Sequence, residues 1–270
     1  MNAKLAAVLY GLFGVAVAFA QEELPTLRYQ PDATVTLESA LKSLQLLNLG
    51  PHIATMDRYP YPHTYSAKRP ELYLKARLDR LDLQHGAGAD PAAPRSIPYE
   101  AMTRIGVVTD YGFRGVSIDG KWYIWCVRIA DSDRREACAR AVADYLYALK
   151  ARAEFVKQSD SKFQETLAKY RDPASRPPFP EEARKFKVQA ELAVGEKRLV
   201  EAANGYIMAI RAAPWWAEGY YNIALLKGEL KEYDDAGRMM KRFIALEPQS
   251  PLARAAQDQI YRWEALAEKP

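Results

Sequence analysis

Histidine and cysteine are scarce in this chain of 270 residues, which holds three of the first and two of the second. His52, His63 and His85 fall in no His-x3-His or His-Glu-x-x-His spacing, so the helix-borne metal sites built on those patterns are excluded. Two thiols make a poor zinc site, because the ion usually takes four ligands. Cys126 and Cys138 also stand too far apart for a redox Cys-x-x-Cys pair. A Gly-rich phosphate loop and a Gly-x-Ser-x-Gly nucleophile elbow are both missing. Beyond the first twenty residues, no run is apolar for long enough to span a bilayer. The formal charge is only +4, with basic and acidic residues interleaved, which reads as solvated helix faces and gives no footprint for nucleic acid. No cofactor, no metal and no enzymatic activity are expected.

The N-terminus, "MNAKLAAVLYGLFGVAVAFA", has a short region carrying Lys4 and then an uncharged apolar run that ends in Ala18-Phe19-Ala20. This is the pattern of a cleavable export signal, so residues 1–20 are expected to be removed and the mature chain to be periplasmic or secreted. In an oxidising compartment one intramolecular disulfide between Cys126 and Cys138 is the leading expectation, with two buried free thiols as the alternative.

Further along, "TLESALKSLQLLNL" (Thr36 to Leu49) has helical spacing, a Thr36 cap and a Gly50-Pro51 stop. The Pro-, Tyr- and His-rich stretch after it resists long regular elements. Leu72 to Leu83 alternates apolar and charged residues and fits either a strand or a short helix. From Ile97 the signals are those of strands, including a hairpin with Asp119-Gly120 at a type I′ turn. Its second strand, starting at Trp122, is apolar on both faces. A helix capped by Asp131 or Ser132 follows, and its periodicity extends through Phe155 and Leu167. "YRDPASRPPFP" then interrupts, with four prolines between Pro173 and Pro180. The expected organisation is an α+β domain over 21–171, a Pro-rich linker over 172–180 and an all-α unit over 181–270.

Residues from about 95 to the end of that helix resemble the later half of a bacterial pleckstrin-homology-like module. The resemblance implies a small, partly open β-barrel or sheet with a closing helix. Some modules of this kind bind lipids or peptides, which makes a lipid- or envelope-binding adaptor the alternative function.

After the linker the chain echoes itself at an interval of 34 residues. Ala190, Ala202, Tyr206, Ala209 and Pro214 correspond to Ala224, Ala236, Met240, Phe243 and Pro248. "RLVEAANGYIMAIRAAP" aligns with "EYDDAGRMMKRFIALEP" without a gap. This period and pattern resemble the tetratricopeptide repeat family. The resemblance implies two helical hairpins, about Ala183 to Trp216 and Ala217 to Ser250, closed by a solvated cap helix from Pro251. Small residues at the paired alanines allow close helix approach, and each proline ends a second helix. Trp216, Tyr220, Ile223 and Leu230 share one helical stripe and are expected in the core, with Trp215 against the preceding helix end.

In that family the other stripe lines a concave groove that holds extended peptides or partner helices. Here it comprises Arg184, Lys187, Glu191 and Val194 in the first repeat and Glu218, Tyr221, Asn222, Leu225 and Glu229 in the second. Glu191 and the apolar Leu252 and Ala256 depart from the carboxylate-binding arrangement, so capture of a free C-terminus is not expected. The expected function is non-enzymatic protein–protein interaction at the bacterial cell envelope, with a protein or peptide partner and homo-oligomers as a lesser option. A hydrolase site around His52, Asp57 and His63 is the second alternative. Paired carboxylates at Glu181-Glu182 and Asp234-Asp235 begin helices, where acidic groups favour the dipole.

Overall fold

The computed structural model describes residues 26–28, 35–46, 54–57, 72–85, 95–110, 113–126 and 131–268. The expected signal (1–20), His52 and His63 lie outside these residues. In chain order the first part contains β1 (Thr26–Arg28), α1 (Leu37–Leu46), β2 (Ala54–Asp57), β3 (Leu72–Ala76), β4 (Arg80–His85) and β5 (Ser96–Pro98). A 3-10 turn (Tyr99–Ala101) leads to β6 (Ile105–Asp110), β7 (Phe113–Ile118) and β8 (Trp122–Cys126). Two antiparallel sheets result, one in the order β1-β6-β7-β8-β2 and one in the order β3-β4-β5. Both are open. β1 pairs with β6 and β2 with β8, and no pairing among the described residues joins the two edges, so a closed barrel does not form.

Local chemistry explains several of these elements. Thr36 and Ser39 cap α1 reciprocally: the Ser39 amide donates to Thr36 Oγ1 (3.1 Å) and the Thr36 amide to Ser39 Oγ (2.9 Å). Between β7 and β8, Asp119 (φ 56°) and Gly120 (φ 67°) both take the left-handed region. The Lys121 amide closes the turn on the Ile118 carbonyl, as a type I′ turn requires. The register Ile118↔Trp122 leaves Lys121 in the loop as well. Leu72 to Leu83 is neither one strand nor a helix but most of a hairpin, with the Arg77 amide donating to the Arg80 carbonyl.

α2 (Ser132–Tyr170) is one helix of 39 residues, capped by Asp131, whose carboxylate accepts from the amides of Asp133 and Arg134. At 1.5 Å per residue it is about 58 Å long. Its first half supplies Cys138, Ala139, Val142, Ala143, Leu146 and Leu149 to a core shared with Ile105, Val116, Ile118 and Ile124 of the larger sheet and Leu81, Leu83 and Ile97 of the smaller. Val108, Tyr123 and Trp125 form a second buried cluster, with the Tyr123 and Trp125 rings stacked at 5.9 Å. Gly115 is needed beside them, because a Cβ there would sit 2.6 Å from the Ile124 carbonyl oxygen and 2.8 Å from the Trp125 ring.

The Pro-rich segment is only partly extended, since Pro173–Ser175 forms a 3-10 turn capped by Asp172. Five helices follow: α3 (Glu181–Gly195), α4 (Leu199–Ala212), α5 (Ala217–Glu229), α6 (Tyr233–Leu246) and α7 (Ala253–Ala267). They form a helical array in which each helix packs on its sequence neighbours. The 34-residue echo extends to the backbone. Lys197 and Lys231 both take positive φ (59° and 61°) after the first helix of a hairpin. The amides of Arg198 and Glu232 then reach back to the carbonyls of Ala193 and Lys227 in matching Schellman closures. Ala190 and Ala224 are buried, as are Ala202 and Ala236. A Cβ on Gly205 would stand 2.9 Å from that of Ala190, so α3 and α4 nearly touch there.

The array does not stand apart from α2. Phe163 is buried in its core and Leu167 packs on the same cluster. Arg176, just after the 3-10 turn, bonds Glu247 (2.9 Å) and the Leu246 carbonyl (2.9 Å) at the end of α6.

Candidate functional site

The stripe singled out for partner binding lies on α3 and α5. Arg184, Glu191, Glu218, Leu225 and Glu229 are exposed, and Lys187, Tyr221 and Asn222 are half-buried. Several are already engaged. Lys187 pairs with Glu191 at 3.1 Å, one helical turn away. Glu218 accepts from Trp216 Nε1 at 3.2 Å. The Tyr221 ring meets Phe243 of α6 edge-on at 5.0 Å, so Tyr221 contributes to the hairpin core as well as to the surface. What this face presents to solvent is a mixed-charge surface with two exposed apolar side chains, Val194 and Leu225.

The aromatic residues beside Pro214 are mortar. Tyr220 is buried, its hydroxyl donates to the Pro214 carbonyl (3.1 Å), and its ring meets Phe163 edge-on at 5.5 Å. Burial pushes the Tyr220 hydroxyl up to about 12, with the nearby Arg242 opposing. Trp216 is half-buried rather than enclosed and leans on Phe179 (5.1 Å) and Tyr206 (6.1 Å). Trp215 packs on Tyr170 (4.9 Å), at the end of α2. The turn after α2 brings Tyr170 there, a proximity that helical periodicity does not encode.

An ionic ladder joins α2, the small sheet and the array. Arg152 pairs with Asp235 (2.6 Å). Asp160 accepts from Arg238 (3.1 Å) and Arg242 (2.5 Å). Arg77 bridges Asp82 (3.0 Å) and Asp234 (3.2 Å) and donates to the Ala267 carbonyl at the end of α7 (3.3 Å). Arg242 is the most enclosed of these, with its guanidinium over the Phe163 ring at 4.9 Å. Burial lowers its pKa, opposed chiefly by the hydrogen bond to Asp160. Of these residues the sequence points only to Asp234 and Asp235, and as helix-start carboxylates rather than as partners of Arg77 and Arg152. The Arg238/Arg242 pair at i, i+4 is visible there, but its carboxylate partner is far off in the chain. Beside the ladder lies an open cleft of about 830 Å³, with Leu78, Tyr99, Tyr147 and Val156 in its wall and Lys150, Lys157 and Glu154 at its edge. Lys150 Nζ is tied to the Met102 carbonyl.

Cys126 and Cys138 are bonded, with Cα atoms 6.3 Å apart, and pin the last strand of the larger sheet to the first turns of α2. The bond fits an oxidising, exported environment. No helix among the described residues is long and apolar enough to cross a membrane. Of the three histidines only His85, in β4, falls among the described residues, and no group of three or more His, Cys, Asp or Glu converges there as a metal site. Compared with known proteins, the chain matches no family model, no curated protein and no solved structure.

Proposed function

We propose that this chain is a non-enzymatic interaction protein of the bacterial cell envelope. Its helical hairpins are read as tetratricopeptide repeats that present the first-helix face to a protein or peptide. The observation that carries this reading is the backbone repetition at 34 residues, closures and buried alanines included, the period characteristic of that repeat. Arg184, Leu225 and Glu229, exposed and without structural duties of the kind that Tyr221 has, are the residues through which a partner is read. The test is capture from an envelope extract on the full chain and on a Leu225→Glu/Arg184→Glu variant of unchanged melting temperature. Species lost from the variant support the reading, and an identical set on both overturns it.

A second reading, an adaptor for a lipid or another envelope ligand, is favoured by the cleft beside Tyr99 and Tyr147. The pleckstrin-homology-like resemblance belongs to this reading, supported by a helix that closes an open antiparallel sheet. Liposome flotation of the full chain and of a Val156→Glu variant separates the two. Flotation lost on that change favours the cleft, and no flotation of either protein removes it.

A further inference from the structure

The two ends of the array are finished differently. Within it, the first helix of each hairpin buries a seam against the hairpin before it. Leu226 of α5 is 7% exposed, and its equivalent in α7, Ile260, is 0% exposed. Ala256 of α7 is buried in the same way, and Trp263 lies against Gly228, where a Cβ would be 2.6 Å from its ring. At the far end, α7 places the exposed Arg254 and Asp258 where α5 has the buried Tyr220 and Ala224, so the array ends there in a solvated surface.

At the near end the same seam on α3 is uncovered. Val188 and Leu192, the equivalents of Asn222 and Leu226, are 56% and 60% exposed. α2 does not cover them: its ring contacts and ion pairs with the array run to Tyr220 of α5, to Trp215 just before it, and to Asp235, Arg238 and Arg242 of α6. Charge beside the seam is arranged about the same midpoint. Val188 and Leu192 are centred near Ala190, and so are Lys185 and Glu196 on the flank next to them. In an antiparallel helix pair, equivalent flanks face each other. A copy of α3 turned end for end therefore sets Val188 against Leu192 twice and Lys185 beside Glu196 twice. Lys185 has no ion-pair partner among the described residues, and Glu196 shares Arg198 only within its own turn.

We propose that the open end of the array is a self-association surface, on which α3 of one chain packs antiparallel against α3 of a second copy about a two-fold axis. Four apolar side chains and two ion pairs make a small interface, and such contacts belong to weak, reversible dimers. The surface borders the first-helix face proposed for partner binding, since Val188 lies one turn from Arg184 on α3, but it rests on different side chains, so either proposal stands if the other fails.

The test is sedimentation velocity of the full chain, processed as the cell delivers it, from low micromolar to roughly 0.5 mM, a range that brackets weak dimers. A concentration-dependent dimer is expected. The Val188→Lys/Leu192→Lys variant should weaken it by at least about tenfold with an unchanged melting temperature, because both side chains are on the surface. Lys185→Glu and Glu196→Lys should each weaken it, and the two together should restore it. A chain that stays monomeric throughout overturns the proposal, as does a dimer indifferent to the Val188/Leu192 change. Failure of the charge exchange to restore association overturns the antiparallel arrangement.

Discussion

At the scale of single residues, Arg242 and Asp160 show how little symmetry an ion pair has when one partner is enclosed. The guanidinium is buried between Phe163 and Tyr220, whereas the carboxylate is almost half-exposed and has Arg238 as well. Removing the carboxylate therefore strands a charge, and removing the arginine does not. Asp160→Asn is expected to destabilise by roughly 3 kcal/mol, and Arg242→Met, which keeps most of the apolar contact, by about half of that. Urea unfolding of both variants reads the difference, and equal losses would refute the asymmetry. Tyr220 carries a pH dependence of definite sign. Its folded pKa is raised to about 12 from an ordinary value of 10.0. The stability tied to its neutral form is therefore complete below pH 10 and is lost as pH rises toward 12. The loss approaches roughly 3 kcal/mol at full ionisation. Tyr220→Phe also gives up the bond to Pro214 and should lower stability at neutral pH, but it should flatten the decline between pH 10 and 12 in thermal melts.

At the scale of elements, glycine separates two otherwise similar helices. Gly228 in α5 and Gly237 in α6 both lie inside helices, where alanine is ordinarily better by up to about 1 kcal/mol. A Cβ at Gly237 meets nothing within 4 Å, so Gly237→Ala should stabilise by about that amount. A Cβ at Gly228 would stand 2.6 Å from the ring of Trp263, so Gly228→Ala should destabilise and loosen α7. Paired thermal melts should move in opposite directions. The same level shows what was legible in the sequence. The helical hairpins were, because close approach demands small residues at fixed intervals, and Ala190/Ala224 and Ala202/Ala236 repeat them. The hairpin at Asp119-Gly120 was, because positive φ at two successive residues selects Asp-Gly. The β3–β4 hairpin was not: its turn, Leu78-Asp79, carries neither glycine nor proline, so nothing in the residues divides the strand from its return. The candidate binding stripe was legible as a face. Its internal engagements, Tyr221 on Phe243 and Lys187 on Glu191, depend on neighbouring side chains that periodicity does not specify.

At the scale of the whole molecule, α2 is a member of two cores. Its first half closes the sheets and is pinned by the disulfide, and its second half supplies Phe163 and Leu167 to the array. Two hairpins and a cap bury little surface by themselves, and arrays of this kind usually need about three repeats to be stable. Among the described residues the sheet-bearing part and α2 also meet the array through the ladder, from Arg77 to Asp234, from Arg152 to Asp235 and from Asp160 to Arg238 and Arg242. Partly exposed ion pairs of that sort contribute about 1 kcal/mol or less each. The apolar contacts of α2, with the enclosed Arg242–Asp160 pair, must therefore carry most of the coupling. A fragment beginning at Pro180 should melt broadly and roughly 10 °C or more below one that begins at Asp131, which keeps Phe163, Leu167 and Asp160. Circular dichroism melts of the two fragments decide the matter. If they superimpose, the array is self-sufficient and α2 merely lies on it. If raising the salt concentration in the longer fragment erases its advantage, the ladder has been undervalued and the buried aromatic contact overvalued.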